Sequence, residues 1–266
     1  MKKTLFIVAL TALLALTFAA PSLAGDALDR ILKKGELRIG TTANQPPMTA
    51  RTKAGKIIGL DVDLAELIAM NMGVDVKLVT MPFSELLPAM HAGKVDMILS
   101  AMSMLPERNL KVAFVGPYFV SGKGVITKTK MIASLQGPDG LNNPKFKLAA
   151  LKGGTSEMFA EGAAPKAQLI TTTNYDEAVN LLLADKVDAI IADFPFCALT
   201  AYRYKDKGVI AGDAPMSFDP LGIAIPEDTL LLNWLQNFMM MVSGSGALKR
   251  LTDRWFSGGA WINELP

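Results

Sequence analysis

Two residues of opposite charge, Arg108 and Asp193, stand at matching places in a repeated stretch of sequence. The tripeptide Lys-Val-Asp occurs in residues 86–108 and again in residues 178–194, each time after an apolar helical run and before a short strand. A guanidinium binds a carboxylate through two parallel hydrogen bonds, whereas an acid at the end of a buried strand needs a partner such as an ammonium. The repeat therefore predicts two similar units that hold a zwitterionic ligand between a cation and an anion.

Hydroxyl groups and glycines accompany this pair. Ser100 and Ser103 precede Arg108, and residues 152–156 read Lys-Gly-Gly-Thr-Ser between a predicted strand and a helix. Glycines allow close approach of the backbone, and the free N–H groups of a helix start attract an anion. Each residue also has a plainer interpretation: Arg108 as a surface residue paired with an acid, Thr155 as a helix cap, and Asp193 as a partner of backbone amides.

The counts of cysteine and histidine exclude several chemistries. Cys197 and His91 are the only residues of their types, so neither an intramolecular disulfide nor a His/Cys metal cluster can form. No sequence context supports a nucleophile that uses His91, which we place at a helix end, and Cys197 reads as a buried small hydrophobe. Asp61 and Asp63 are interpreted as complements of a helix dipole rather than as metal ligands. No catalytic residue, metal or cofactor is predicted.

The first 24 residues read as a secretory signal peptide. Lys2 and Lys3 precede an apolar run, Leu5 to Phe18, and a small-residue cleavage signal ends at Ala24. Removing this segment leaves 25 basic and 25 acidic residues, so no basic surplus points to nucleic acid or lipid. No cysteine lies near the cleavage point. We therefore expect an exported, periplasmic protein that is not a lipoprotein.

Hydrophobic periodicity predicts an alternation of strands and helices. The predicted helices are 28–34, 61–72, 83–92, a run within 155–162, 176–184, 229–242 and 247–255. The predicted strands are 36–42, 74–81, 95–100, 111–114 with 117–120, 122–127, 147–151, 168–173 and 187–192, with an extended return at 217–226. Residues 128–145 read as a surface segment. This order predicts two βαβαβ units with parallel strands, helices on both faces and a ligand cleft at the carboxyl ends of the strands.

The chain resembles the bacterial solute-binding proteins of family 3, the binding components of polar amino-acid ABC importers. The order and spacing of seven segments carry the resemblance: LRIGTTANQPPM, GKIIGLDVDLAELIA, FSELLPAMHAGKVDMILSAMSMLPER, AFVGPYF, LKGGTSE, DKVDAIIADF and LKRLTDRWFSGG. The resemblance implies an α/β fold of the type II periplasmic-binding-protein class, with two α/β/α lobes joined by two crossover strands. It places residues 25–121 and 214–266 in lobe 1 and residues 122–213 in lobe 2.

The resemblance also assigns ligand groups. It implies that Arg108, Ser103 and Thr155 bind an α-carboxylate and that Asp193 takes the α-ammonium. It further implies that the backbone at Ala101 contacts the ligand, with Ser100 beside it.

The chain departs from the family at the ligand's side chain. The family usually clamps the ligand between two aromatic rings, but Gln45 and Leu60 stand at those places and Met48 follows the prolines. Gln45 is therefore expected to bond a polar side chain, or Leu60, Met48 and Phe83 to line an apolar pocket. No acid stands where a cationic side chain would be read, so Lys and Arg are disfavoured as ligands.

The sequence thus predicts a monomeric periplasmic protein that captures an amino acid, or a close analogue, and delivers it to an ABC permease in the inner membrane. Two alternatives stay open. One is a periplasmic dehydratase on the same scaffold, for which Glu157 is the only candidate acid. The other is a ligand sensor that docks on a receptor kinase.

Overall fold

The structure is a computed structural model that describes residues 26–135 and 137–266. The predicted signal peptide, residues 1–24, lies outside the described residues. Within the described ranges no helix is both long and apolar enough to cross a bilayer.

Helices and strands alternate through most of the chain, as the periodicity predicts. The helices are α1 Asp26–Lys34, α2 Leu60–Met72, α3 Phe83–His91, α4 Pro106–Asn109, α5 Lys130–Ala133, α6 Thr155–Ala163, α7 Tyr175–Leu183, α8 Phe194–Arg203, α9 Thr229–Gly244 and α10 Ala247–Phe256. The strands are β1 Glu36–Thr41, β2 Asn44–Gln45, β3 Thr49–Arg51, β4 Ile57–Ile58, β5 Asp75–Thr80, β6 Met97–Ile98, β7 Ala113–Ser121, β8 Lys123–Thr127, β9 Lys147–Leu151, β10 Gln168–Thr172, β11 Ala189–Asp193, β12 Ile210–Ala211 and β13 Asp219–Ile225. Short 3-10 turns cover Pro138–Leu141, Lys205–Lys207 and Ala260–Glu264.

Two five-stranded sheets organise the described chain. The first has the order β5-β1-β6-β13-β7 and the second the order β10-β9-β11-β8-β12. In each sheet four strands run in one direction, and one strand, β13 in the first sheet and β8 in the second, runs antiparallel to its neighbours. The predicted parallel strands of the two βαβαβ units, β1, β5 and β6 and then β9, β10 and β11, are confirmed. The reversed strands, β8 and β13, are those by which the chain enters each sheet from the other one.

Two chain segments cross between the sheets, side by side. One runs from β7 to β8 through Gly122, and the other covers residues 212–218 between β12 and β13. A Cβ atom at Gly122 would lie 2.1 Å from the carbonyl oxygen of Ser217, so only glycine permits this approach. The Lys123 N–H donates to Ser217 Oγ at 2.8 Å and ties the crossings together. The predicted pair of crossover strands is thus confirmed.

Several local predictions fail for physical reasons. Residues 194–203 form a helix that the apolar pattern did not reveal. Pro195 does not prevent this helix, because proline is compatible with a first helical turn. Residues 128–145, which were expected to form a surface segment, contain a short helix and a 3-10 turn that the sequence did not indicate. An interpretation of Met239, Met240 and Met241 as core residues of an apolar helix holds only for Met239: it is buried but Met240 and Met241 are exposed, because successive helical residues point about 100° apart.

Two other expectations hold. Cys197 is fully buried in the core that contains α3 and α7. His91 is the last residue of α3.

Candidate functional site

The cationic end of the site is Arg108, which lies on α4 directly after the buried strand β6 and its loop. Pro106 stands in the first turn of this short helix, where its fixed φ angle is favourable. The Arg108 side chain extends toward the second sheet, and the residue is only 9% exposed. Nη1 donates to the carbonyl oxygen of Ser103 at 3.0 Å, and Nη2 donates to that of Gly153 at 3.2 Å. The guanidinium also lies over the Phe83 ring, 5.4 Å from its centroid.

The Arg108 guanidinium has no counter-ion of its own. Among residues 26–135 and 137–266, no carboxylate oxygen lies within 4.0 Å of it. Burial lowers its pKa below the usual value, although the more distant charges of Asp219 and Asp193 oppose the shift. A buried cation bonded only to neutral carbonyl groups is costly, and an anion placed here removes that cost.

Two hydroxyl groups meet beside Arg108. Ser103 Oγ lies 3.2 Å from Thr155 Oγ1, so a residue of the first sheet's loop touches the first residue of α6. Gly153, in the turn before α6, approaches α3 closely: its φ is +75°, and a Cβ there would lie 3.0 Å from Ser84 Cβ. These hydroxyls can bond an anion that Arg108 binds.

Two other predicted residues are already bonded within the first lobe. Ser100 Oγ donates to Thr42 Oγ1 at 3.2 Å and accepts the Thr42 N–H at 3.1 Å. Ala101 has a φ of +49°, and its N–H donates to the buried carboxylate of Asp61 at 2.8 Å. The structure places both in the loop that leads to Arg108, where they shape the backbone.

Asp61 has a role that the helix-dipole interpretation missed. It stands in the first turn of α2 as expected, but its second oxygen also accepts the Tyr118 hydroxyl at 2.8 Å. Burial raises the pKa of Asp61 to about 7, the Tyr118 and Ala101 hydrogen bonds lower it, and the charge of Asp193 raises it further. No group of three or more His, Cys, Asp or Glu side chains in the described ranges is arranged to hold a metal ion.

The anionic end is Asp193, the last residue of β11, and it is already engaged. Its two carboxylate oxygens accept hydrogen bonds from Lys123 Nζ and Gln45 Nε2. Lys123 Nζ also lies 2.6 Å from a carboxylate oxygen of Asp219. The sequence interpretation missed Lys123 and Asp219. The sequence feature that could have revealed them is the lone lysine at the start of an apolar strand, because a buried lysine requires an acidic partner.

The four residues expected near the ligand's side chain lie in three different places. Gln45 and Met48 lie between the sheets and line one small cavity with Asp193, Phe119 and Phe196. Phe83 lies on the other side, against Arg108. Leu60 is fully buried in the hydrophobic core of the first sheet. The structure therefore brings two aromatic rings, Phe119 and Phe196, to the place where the sequence pattern had shown none.

The two sheets meet directly through polar contacts of predicted site residues. Gln45 bonds Asp193, Ser103 lies against Thr155, and Arg108 bonds the Gly153 carbonyl. This is a closed arrangement in which the cleft groups satisfy one another. A ligand between Arg108 and Asp193 would replace these contacts with its own.

Comparison with known proteins agrees with this architecture. Residues 37–258 match the family model of bacterial extracellular solute-binding proteins, family 3. The probable histidine-binding protein of Campylobacter jejuni is 34% identical over 195 residues, which cover 73% of this chain and 74% of that protein. The cyclohexadienyl dehydratase of Pseudomonas aeruginosa is 25% identical over 228 residues, 86% of this chain and 85% of that enzyme.

A solved structure is similar along nearly its whole length. It is a putative binding component of an ABC transporter from Wolinella succinogenes, complexed with lysine. Its TM-score is 0.82 at 34% identity, and the match covers 86% of this chain and 99% of that one. With the family match over most of the chain and two sheets that meet at a polar cleft, this protein belongs to the bacterial extracellular solute-binding proteins, family 3.

Proposed function

We propose that this protein is the periplasmic binding component of an ABC importer and that it captures an amino acid, or a close analogue, in the cleft between its two lobes. The α-carboxylate binds Arg108, Ser103 and Thr155, and the α-ammonium binds Asp193. Residues 25–121 with 214–266 act as one lobe and residues 122–213 as the other. The protein works as an exported monomer, released from its signal peptide, and hands the ligand to a permease in the inner membrane.

The observation that carries this proposal is the buried, uncompensated Arg108 guanidinium at the junction of the two sheets. Its donors reach one carbonyl oxygen in each lobe, Ser103 in the first and Gly153 in the second. A ligand carboxylate held by Arg108 and Ser103 in the first lobe can also bond the Thr155 hydroxyl of the second lobe only when the lobes are closed. Closure then follows from the ligand's greater affinity for the closed state.

Titration calorimetry of the mature protein against the 20 L-amino acids tests the proposal. We expect micromolar or tighter binding of at least one of them, a free energy of about −8 kcal/mol. Arg108→Ala should weaken that binding at least about 100-fold. The matched control is Arg250→Ala, which removes an exposed arginine of α10 and should leave the affinity unchanged. Absence of binding by the wild type, or equal binding by Arg108→Ala, would refute the proposal.

The relation to a dehydratase requires its own test. Glu157, the only acid that the sequence offered as a proton donor, accepts the Gly153 N–H at 2.6 Å and so braces the turn before α6. We therefore favour binding without catalysis. The pure protein should not turn over prephenate-like acids in an absorbance assay, and measurable turnover that Glu157→Gln abolishes would favour the enzyme instead.

The amino-acid panel also tests side-chain preference. Gln45 and Met48 line the cavity next to Asp193, together with two aromatic rings, which suits a polar or apolar side chain. The prediction that Lys and Arg are poor ligands stands against the lysine complex of the Wolinella succinogenes protein. The order of affinities within the panel decides it.

A further inference from the structure

Lys123 is a lysine that is almost completely buried. It is the first residue of β8, immediately after the crossing at Gly122, and only 2% of it is exposed. Burial acts to lower the pKa of its ammonium, but the charges of Asp193 and Asp219 outweigh burial and hold the pKa above its usual value. The ammonium therefore keeps its charge inside the protein, which few buried lysines do unless they are paired.

Three charged side chains form one buried cluster: Asp193, Lys123 and Asp219. Lys123 Nζ makes ion pairs with both acids. The contact with Asp219, at 2.6 Å, has poor angles for a hydrogen bond, and Asp219 Oδ2 has no hydrogen-bond partner among the described residues. Two carboxylates and one ammonium leave one negative formal charge in a buried place.

Apart from Lys123, no cationic side chain of the described residues lies within ion-pair distance of either acid. Arg108 is near enough for both acids to influence its pKa, but neither acid is within ion-pair distance of it. An unbalanced buried charge is costly and attracts a group of opposite sign. One further cation bound at the cluster would therefore neutralise it.

We propose that Lys123 and Asp219 set the charge that a ligand must carry: together with Asp193 they accept one ammonium group, so they select amino acids over the corresponding 2-hydroxy or 2-keto acids. This proposal rests on the proposed function. Asp193 touches the ligand, and Lys123 and Asp219 act on the ligand through it, as positioning and specificity-determining residues.

The charge balance explains why both residues are needed. Asp193 with Lys123 alone would be a neutral pair with no electrostatic preference for an ammonium. Asp219 restores the negative charge. Lys123 in turn keeps the two carboxylates from repelling each other and holds Asp193 in one orientation, since it joins the end of β11 to the start of β13.

Three variants change the cluster's charge in defined steps. Asp219→Asn makes it neutral, Lys123→Gln gives it two negative charges, and the double variant returns it to one. The ligands are the 20 L-amino acids and, where it exists, the L-2-hydroxy acid with the same side chain. The readout is the ratio of the two dissociation constants, measured by calorimetry at one pH, with folding of each variant checked by thermal unfolding.

In the wild type the amino acid that binds should be preferred over its hydroxy acid at least about tenfold. Asp219→Asn should reduce this preference at least about tenfold, and the double variant should restore it to within about threefold of the wild type. Lys123→Gln should shift binding toward ligands with a second positive charge, such as L-ornithine, relative to neutral amino acids. If Asp219→Asn does not fold, the Lys123→Gln and double variants still test the charge balance.

An unchanged preference in the variants, or wild-type binding of hydroxy acids as tight as that of amino acids, would overturn this inference while leaving the proposed function in place. Failure of the wild type to bind either series refutes both.

Discussion

The two Lys-Val-Asp units are alike at their aspartates, Asp96 and Asp188, which we call the bases. They differ at the charged residues that follow, Arg108 and Asp193, which we call the tips. In both, the aspartate accepts a backbone N–H at a neighbouring strand: Asp96 that of Arg38 in β1, and Asp188 that of Lys147 in β9, both at 2.8 Å. At the tips, the first unit leads to a buried arginine that has no carboxylate partner in the part of the chain that the structure describes. The second ends in Asp193, whose carboxylate is already bonded.

This difference shows how a repeated element can serve two purposes. The shared base joins the residue after each turn to a neighbouring strand, because the aspartate accepts a backbone N–H of that strand. The tips are free of that task and carry opposite charges. Of the two, the cationic tip makes no ion pair with the described residues, whereas Asp193 pairs with Lys123, so a ligand contributes more stabilisation at the cationic tip.

The largest expected effect comes from removing the two tips separately. Arg108→Met and Asp193→Asn should each weaken amino-acid binding by about 1,000-fold, about 4 kcal/mol. Their effects on the ligand-free protein should be opposite. Arg108→Met removes a buried cation and should leave the free energy of unfolding unchanged or raise it, whereas Asp193→Asn takes a partner from Lys123 and should lower it by about 2 kcal/mol. Calorimetry and urea denaturation measure the two quantities, and equal losses of stability would contradict the contrast between paired and unpaired tips.

Asp61 lies in the first lobe, and burial, helped by the negative charge of Asp193, raises its pKa. Its pKa is raised on folding to about 7, so between about pH 4 and pH 7 the native state holds a proton that the unfolded state has lost. The free energy of unfolding should therefore fall as pH rises through this window, on the order of 3 kcal/mol in all, and the decline should end above it.

Asp61→Asn isolates this contribution. The amide can still accept the Ala101 N–H and can donate to the Tyr118 oxygen, so the variant should fold and lose that decline with pH. Urea denaturation from pH 4 to pH 8 measures it. Parallel curves for the variant and the wild type would show that Asp61 is not the titrating group.

A smaller difference is expected between Asp96 and Asp188 in what each contributes to the free energy of unfolding. Asp96 is buried and binds the guanidinium groups of Arg30 and Arg38, whereas Asp188 is exposed and accepts one backbone N–H. Asp96→Ala should lower the free energy of unfolding by about 3 kcal/mol and Asp188→Ala by about 1 kcal/mol. Similar urea midpoints for the two variants would mean that the ion pairs add little to the shared base.

The smallest effect is expected for the contact that joins the tips across the cleft. Gln45→Ala removes the hydrogen bond to Asp193 and with it one of the contacts that hold the ligand-free lobes together. The ligand-free protein should populate an open state more, with a larger radius of gyration in small-angle scattering and a change in affinity below about tenfold. Thr155→Val, which removes the hydroxyl facing Ser103, is the matched variant on the cationic side.

Much of the fold was predictable because periodicity is a local property. The spacing of apolar residues predicted seven of the eight helices of nine or more residues in the described ranges within two residues, and α2 and β5 nearly to their ends. Helix α8 escaped because its buried residues, such as Phe196 and Cys197, were read as one apolar stretch. The mixed direction of the strands was missed because direction depends on where the chain crosses between sheets.

The sequence by itself determined the alternation of strands and helices, the repeated unit and the two charged tips, since each depends on residues close together in the chain. Only the tertiary structure decided which of these charges are paired. Lys123, Asp193 and Asp219 are distant in sequence and meet where β8, β11 and β13 begin or end. Burial then makes their pairing matter, because inside the protein an uncompensated charge is far more costly than in water.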